Sequence, residues 1–319
     1  EQGHALIFIS HKLHEVQELA DCVTVMRDGR VVDTCPNENL DKRKLARMMV
    51  GRDVQFQPDR PPVKVGDVQL SIRDLCADND QGLKCLHNVG LEVRSGEILG
   101  VAGVSGNGQR ELAETISGLR SATSGDITLG SKPILNASVK ARLDAGLAFI
   151  PEERNRHGTI GSFSVAENAI LQNHGESPYS QGPFFNFGAI SKHTADLIKR
   201  FNVKTPNQNT PVKNLSGGNV QKLILARELS RSPKVLVAAQ PTRGVDISAT
   251  EYIHKVLIEQ RGHGVAILLI SEDLDEILAL SDRIAVMNAG EIVGIVIRDD
   301  ADVETLGLMM AGVKEPHAH

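Results

Sequence analysis

Short, unbroken apolar runs recur along this chain, each bounded by glycine or polar residues: Ala5–Ile9, Glu97–Ala102, Ala145–Ile150, Lys234–Ala239 and Val265–Ile270. Continuous apolarity over so few residues marks a strand buried on both faces, as in parallel sheets. Val68–Leu75 instead alternates apolar and polar, the pattern of a half-buried strand, and Leu91–Arg94 reads as another strand ending at the Ser95-Gly96 turn. Helical spacing predicts helices from about Gln109 to Leu119, over Ser191–Phe201, from Ser216 onward (Val220, Leu223, Ile224, Ala226, Leu229) and over Thr250–Gln260. Residues 174–190 are rich in Gly, Ser, Pro and Phe and are expected to be irregular. Buried strands alternating with helices imply an α/β fold built on a largely parallel sheet.

The pattern also repeats. Residues 3–51 align without a gap on residues 264–312, an offset of 261, with 17 identities in 49 positions. Ala5–Ser10 faces Ala266–Ser271, and Asp21-x-x-x-Val25-Met26-x-x-Gly29 faces Asp282-x-x-x-Val286-Met287-x-x-Gly290. Two homologous units in tandem are therefore expected. Residues 1–54 would be the end of the first, the polar, proline-rich stretch 55–66 a linker, and 67–319 the second. The start at Glu1-Gln2-Gly3, directly before an apolar run, reads as a cut, so residues 1–54 are expected to be poorly ordered or rebuilt against something else.

Composition narrows the classes. With 41% hydrophobic and 24% charged residues the chain is of the globular type, and no apolar run approaches the ~18 residues of a membrane helix. A formal charge of −5, 3% aromatics and no Trp argue against a nucleic-acid partner. The cysteines Cys22, Cys35, Cys76 and Cys85 show no C-x-x-C pairing and read as reduced thiols.

The candidate chemistry lies in the second unit. Gly103-x-x-x-x-Gly108 has the glycine spacing of a phosphate-cradling loop between strand and helix. A working loop continues with Lys, for the β/γ-phosphates, and a hydroxyl for Mg²⁺; here those positions are Gln109 and Arg110. On this loop alone, a weak anion site and a plain tight turn both stand. Further on, Leu215-Ser216-Gly217-Gly218-Asn219-Val220-Gln221 opens a helix, a buried strand follows, and then Gln240-Pro-Thr-Arg-Gly-Val-Asp246.

That order closely resembles the ATP-binding-cassette (ABC) family over nearly the whole chain. The resemblance implies a P-loop NTPase domain with a RecA-like parallel-sheet core, an antiparallel β subdomain and a helical subdomain carrying the signature. It implies that the signature, Ser216, Gly217, Gly218 and Asn219, acts in trans on nucleotide held by a partner unit, with Asp246 in the adjoining D-loop. The second unit's own site departs from the family pattern. Ala239 and Gln240 stand where a metal-ordering Asp and a catalytic Glu belong, and Glu272 stands where a phosphate-sensing His belongs. Pro151–Arg154 occupies the place of a strand-end Gln, and Cys76–His87 holds no aromatic to stack adenine. Gln cannot act as a carboxylate base. The first unit keeps His at the equivalent position, His11, which is expected to be its phosphate-sensing residue rather than a core histidine.

ATP is the implied cofactor, with Mg²⁺ at the first unit's site and not at the second's; the chain alone is expected not to hydrolyse ATP. The strings Ile150–Arg154, Ala238–Gly244, Tyr252–His254 and Ile270–Ile277 resemble the subunits that energise bacterial importers of nucleosides or simple sugars, the nucleoside branch more closely because the sugar branch carries Glu at position 240. Implied partners are transmembrane permease subunits, meeting Pro151–Asn168, the first nucleotide-binding unit or a second copy of the chain, and an extracytoplasmic substrate-binding protein. The implied location is peripheral, on the cytoplasmic face of the membrane. A non-transport tandem ABC ATPase acting on ribosomes or DNA, and a module that holds nucleotide without turnover, are the alternatives.

Overall fold

Burial sorts the predicted strands other than Ala5–Ile9 into two sheets. The computed structural model describes residues 4–313 except 28, 39 and 56. The opening Glu1–Gly3 and the end of the expected second unit, 314–319, lie outside the described residues. The N-terminal part runs α1 (Leu13–Leu19), β1 (Cys22–Arg27), β2 (Arg30–Pro36) and α2 (Lys42–Val50). Next come β3 (Val68–Asp78), β4 (Lys84–Arg94), β5 (Ile98–Ala102), α3 (Gln109–Ser117), β6 (Ala122–Leu129), β7 (Lys132–Pro133), α4 (Val139–Asp144) and β8 (Leu147–Ile150). A π-helical turn, Arg154–Gly158, precedes α5 (Val165–Ala169), the small hairpin β9 (Ser180–Gln181) and β10 (Phe184–Phe185), α6 (Phe187–Arg200) and α7 (Gly217–Ser230). The chain ends with β11 (Val235–Ala239), α8 (Ile247–Gly262), β12 (Ala266–Ser271), α9 (Leu274–Leu280), β13 (Arg283–Asn288), β14 (Glu291–Ile297) and α10 (Val303–Met310).

The larger sheet has the order β14-β13-β5-β12-β11-β8. All its pairings are parallel except β14 on β13. Every residue of β5, β11 and β12 is buried, which is why these strands read as unbroken apolar runs. A second, antiparallel sheet has the order β4-β3-β6-β7. Leu70, Leu91, Leu112 and Met287 join the two sheets and α3 in one core. On the other side, Leu197 of α6, Val220 and Leu223 of α7 and Leu236 of β11 share a second core, which seats the helical subdomain. The expected α/β cassette architecture is thus present in all three of its parts.

The sequence repeat is also a structural one. α1, β1 and β2 match α9, β13 and β14 residue for residue at the same offset of 261. Even the irregularity in pairing recurs, between Val25 and Met26 and again between Val286 and Met287. Asp41 caps α2 as Asp302 caps α10, and the Ser10 hydroxyl accepts the Lys12 N–H as that of Ser271 accepts Asp273.

One expectation is corrected. Ala5–Ile9 does not form a strand: Ile7 and Ile9 are 92% and 99% exposed, whereas their counterparts Leu268 and Ile270 are 0% and 1% exposed. β12 is hydrogen-bonded on both sides, by β5 and β11, while residues 5–9 pair with no strand among the described residues. An apolar run has no reason to stay extended in a sheet without such neighbours. Within the stretch expected to be a linker, two residues bond to the fold that follows. Arg60 pairs with Asp282 at 2.7 Å, and Arg261 donates to the Pro61 carbonyl at 3.0 Å. The N-terminal elements pack around Leu13, Val23, Val25 and Leu45, with Ile247 of α8 against them.

Candidate functional site

The glycine loop joins β5 to α3. Gly106 and Gly108 lie at φ +89° and +104°, a region that L side chains rarely adopt. A Cβ on Gly108 would lie 2.9 Å from Met287 Cε and 3.1 Å from the Cys85 carbonyl, and one on Gly103 would meet the Gln109 amide. The two residues in the place of Lys and Ser/Thr both turn away. Gln109 is buried, and its Nε2 donates to the Val104 carbonyl at 3.1 Å, inside the loop. Arg110 is taken up by Glu111 at 3.1 Å and Asp80 at 2.9 Å, and these bonds hold its guanidinium ionised more firmly than usual.

The loop forms one wall of an open cleft of about 270 Å³ whose other residues include Glu152, Ala239, Gln240, Ile270 and Glu272. The fold thus brings together the positions at which the sequence departs from the family. Gln240 sits at φ +49°, and its side-chain oxygen accepts the Glu272 N–H at 3.4 Å. Burial pushes the Glu152 carboxyl up; an ion pair with Arg243 opposes that and the neighbouring Glu272 adds to it. These residues do not fit Mg²⁺ and a triphosphate. Neither a lysine nor a hydroxyl stands at positions 109 and 110, and the neighbouring Arg110 and Arg243 are already paired. The carboxylates of Glu152 and Glu272 would repel a polyanion there.

The signature lies apart from this cleft. Ser216 precedes α7 but does not cap it; its hydroxyl oxygen accepts from Asn219 Nδ2 at 2.8 Å, so the first-turn N–H groups of Gly217 and Gly218 keep no side-chain cap. Uncapped N–H groups at the start of a long helix favour an anion. Asp246 caps α8 through the Ala249 N–H at 2.9 Å, and its second oxygen lies 3.4 Å from where a Cβ on Gly218 would be. Asp246 therefore adjoins the start of α7. His11 is exposed and is not among the residues lining the cleft. The contacts of Arg154 were not legible in the sequence. Its guanidinium donates to the carbonyls of Arg243 (2.5 Å) and Gly244 (2.9 Å). The one available signal was Gly217, whose missing side chain leaves room for that guanidinium.

Comparison with known proteins bears on the family and the fold. Residues 86–243 match the model of the ABC transporter family. The chain is 46% identical to the glucose import ATP-binding protein TsgD13 of Haloferax volcanii, over 98% of this chain and 57% of that protein. It is 41% identical to the nucleoside import ATP-binding protein NupA of Lactococcus lactis, over 98% of this chain and 62% of that protein. The chain thus spans about three fifths of the length of these curated relatives. The crystal structure of a nucleotide-free ATP-binding cassette from an ABC transporter superposes with a TM-score of 0.63 at 22% identity, over 76% of this chain and 95% of that one. Residues 86–243 thus match the ABC transporter family, and the fold around them is that of an ATP-binding cassette.

Proposed function

We propose that the chain is part of the ATP-binding subunit of an importer for nucleosides or simple sugars, and that its cassette serves a nucleotide site it does not itself hold. In this reading Ser216–Asn219 and Asp246 close in trans over ATP and Mg²⁺ bound by a first unit. Residues 1–54 are the end of that unit, and His11 is its phosphate-sensing residue. The cleft at Gly103–Arg110 is the degenerate site. Partners are permease subunits in the membrane, meeting Pro151–Asn168, and an extracytoplasmic binding protein. The cassette would work from the cytoplasmic face; among the described residues no helix is long and apolar enough to cross a membrane.

One observation carries the reading. The same cassette has an uncapped signature helix and a cleft whose would-be phosphate ligands, Gln109 and Arg110, are bonded elsewhere. The glucose and nucleoside importers among the relatives support the transport class. The test is turnover by this chain alone. Mg²⁺-dependent ATP hydrolysis should stay at background, and hydrolysis that persists in Gln240→Ala would falsify the assignment of the cleft. Uptake assays with labelled nucleosides and labelled monosaccharides, in cells with and without the intact subunit, separate the two substrate classes.

A further inference from the structure

The loops Pro151–Arg154 and Gln240–Asp246 exchange arginines. In one direction, Arg154 Nη1 donates to the Arg243 carbonyl at 2.5 Å and Nη2 to the Gly244 carbonyl at 2.9 Å. In the other, the Arg243 side chain pairs with Glu152. The Arg154 guanidinium occupies a slot between two glycines. Its Nη2 lies 2.7 Å from where a Cβ on Gly217 would be and 3.4 Å from one on Gly244. Burial pushes the Arg154 pKa down, and its hydrogen bonds go to backbone carbonyls. A planar fork fits two adjacent carbonyls, which the single ammonium of a lysine cannot do.

The rest of the Gln240–Asp246 loop is anchored elsewhere. Gln240 accepts the Glu272 N–H, Thr242 donates to Glu276 Oε1 at 2.8 Å, where His254 Nε2 also binds at 2.9 Å, and Asp246 caps α8. The span 243–244 faces the start of α7; turn bonds from the Arg243 and Val245 N–H groups shape it, and Arg154 is the side chain that binds its carbonyls. Through Glu152 the same span is tied to the rim of the degenerate cleft.

We propose that Arg154 is a positioning residue that fixes the D-loop and the signature helix start in one register, linking the turn Arg154–Gly158 to the face offered to a partner's nucleotide. The structural half stands on this chain's own contacts; its consequence for hydrolysis rests on the trans-signature reading above.

The experiment therefore has two readouts. Hydrogen exchange on the full chain should show amides of 216–220 and 243–247 exchanging about tenfold faster in Arg154→Met, with β5 and β12 unchanged. Arg154→Lys should fall between, and Arg200→Gln, which alters an exposed arginine on α6, should match wild type. In the intact subunit assembled with its permease, Arg154→Met should lower kcat roughly tenfold and leave KM for ATP within about threefold. Unchanged exchange at 216–220 and 243–247, exchange that quickens throughout the chain, or an unchanged kcat in an assembly that hydrolyses ATP each overturns the proposal. If the wild-type assembly does not hydrolyse ATP, the functional reading fails and exchange alone decides on Arg154.

Discussion

At the scale of single residues, the glycine loop separates two uses of glycine that its spacing alone does not distinguish. A Cβ on Gly106 meets nothing within 4 Å, so only its φ of +89° resists a side chain. A Cβ on Gly108 meets Met287, Leu86 and the Cys85 carbonyl as well. Gly106→Ala should therefore cost about 1–2 kcal/mol of stability. Gly108→Ala should cost more, about 3 kcal/mol or above, because the contacts include backbone that cannot swing aside. Urea midpoints for the two variants check the order; equal losses would show that the Met287 and Cys85 contacts do not constrain the loop. The identity of these positions was readable from the sequence. Their partners were not: Gln109 folding back on Val104, and Arg110 captured by Asp80 from thirty residues upstream, are pairings that only the folded chain creates.

At the scale of elements, α3 depends on a residue from α4. Arg142 is 3% exposed and donates to the carbonyls of Thr115 and Ile116 at the end of α3, both at 2.7 Å, and to those of Leu135 and Ala137. It thus satisfies C-terminal carbonyls that the helix cannot satisfy itself. Arg142→Met keeps much of the volume and strands those acceptors, so it should destabilise by about 2–4 kcal/mol, read as a lower urea midpoint with an unchanged slope. A neutral result would mean that solvent reaches the carbonyls. Strands and helices themselves were largely legible, because β5, β11 and β12 are buried on both faces and carry that fact as apolar runs. The same logic failed at Ala5–Ile9. Its run predicts a strand, but a strand also needs hydrogen-bonding neighbours, and the pattern of one segment says nothing about who lies beside it.

At the scale of the whole molecule, the two repeated segments, 13–50 and 274–310, differ in what they pack against. The N-terminal copy is held to α8 by Glu251. Arg52 binds it through both nitrogens, Nη1 at 3.1 Å and Nη2 at 2.5 Å, and the Gln55 N–H donates to it at 3.1 Å. Burial pushes the Glu251 carboxyl up, but Arg52 and the Gln55 N–H outweigh it and hold the group below its ordinary value. A carboxyl whose pKa is lower folded than unfolded stabilises the contact above its unfolded value, about 4.3. That contribution is lost as pH falls through the lower, folded value. Glu251→Gln removes the charge at every pH. Amide exchange in α2 should therefore be severalfold faster in the variant than in wild type at pH 7, and the two should converge as both are acidified through the lowered, folded value. Comparing the proteins at matched pH cancels the intrinsic pH dependence of exchange. Equal rates at pH 7 would show that Ile247 and the neighbouring apolar contacts hold the N-terminal elements unaided. A gap that does not narrow on acidification would show that the contact depends on the carboxyl's acceptor geometry and not on its charge.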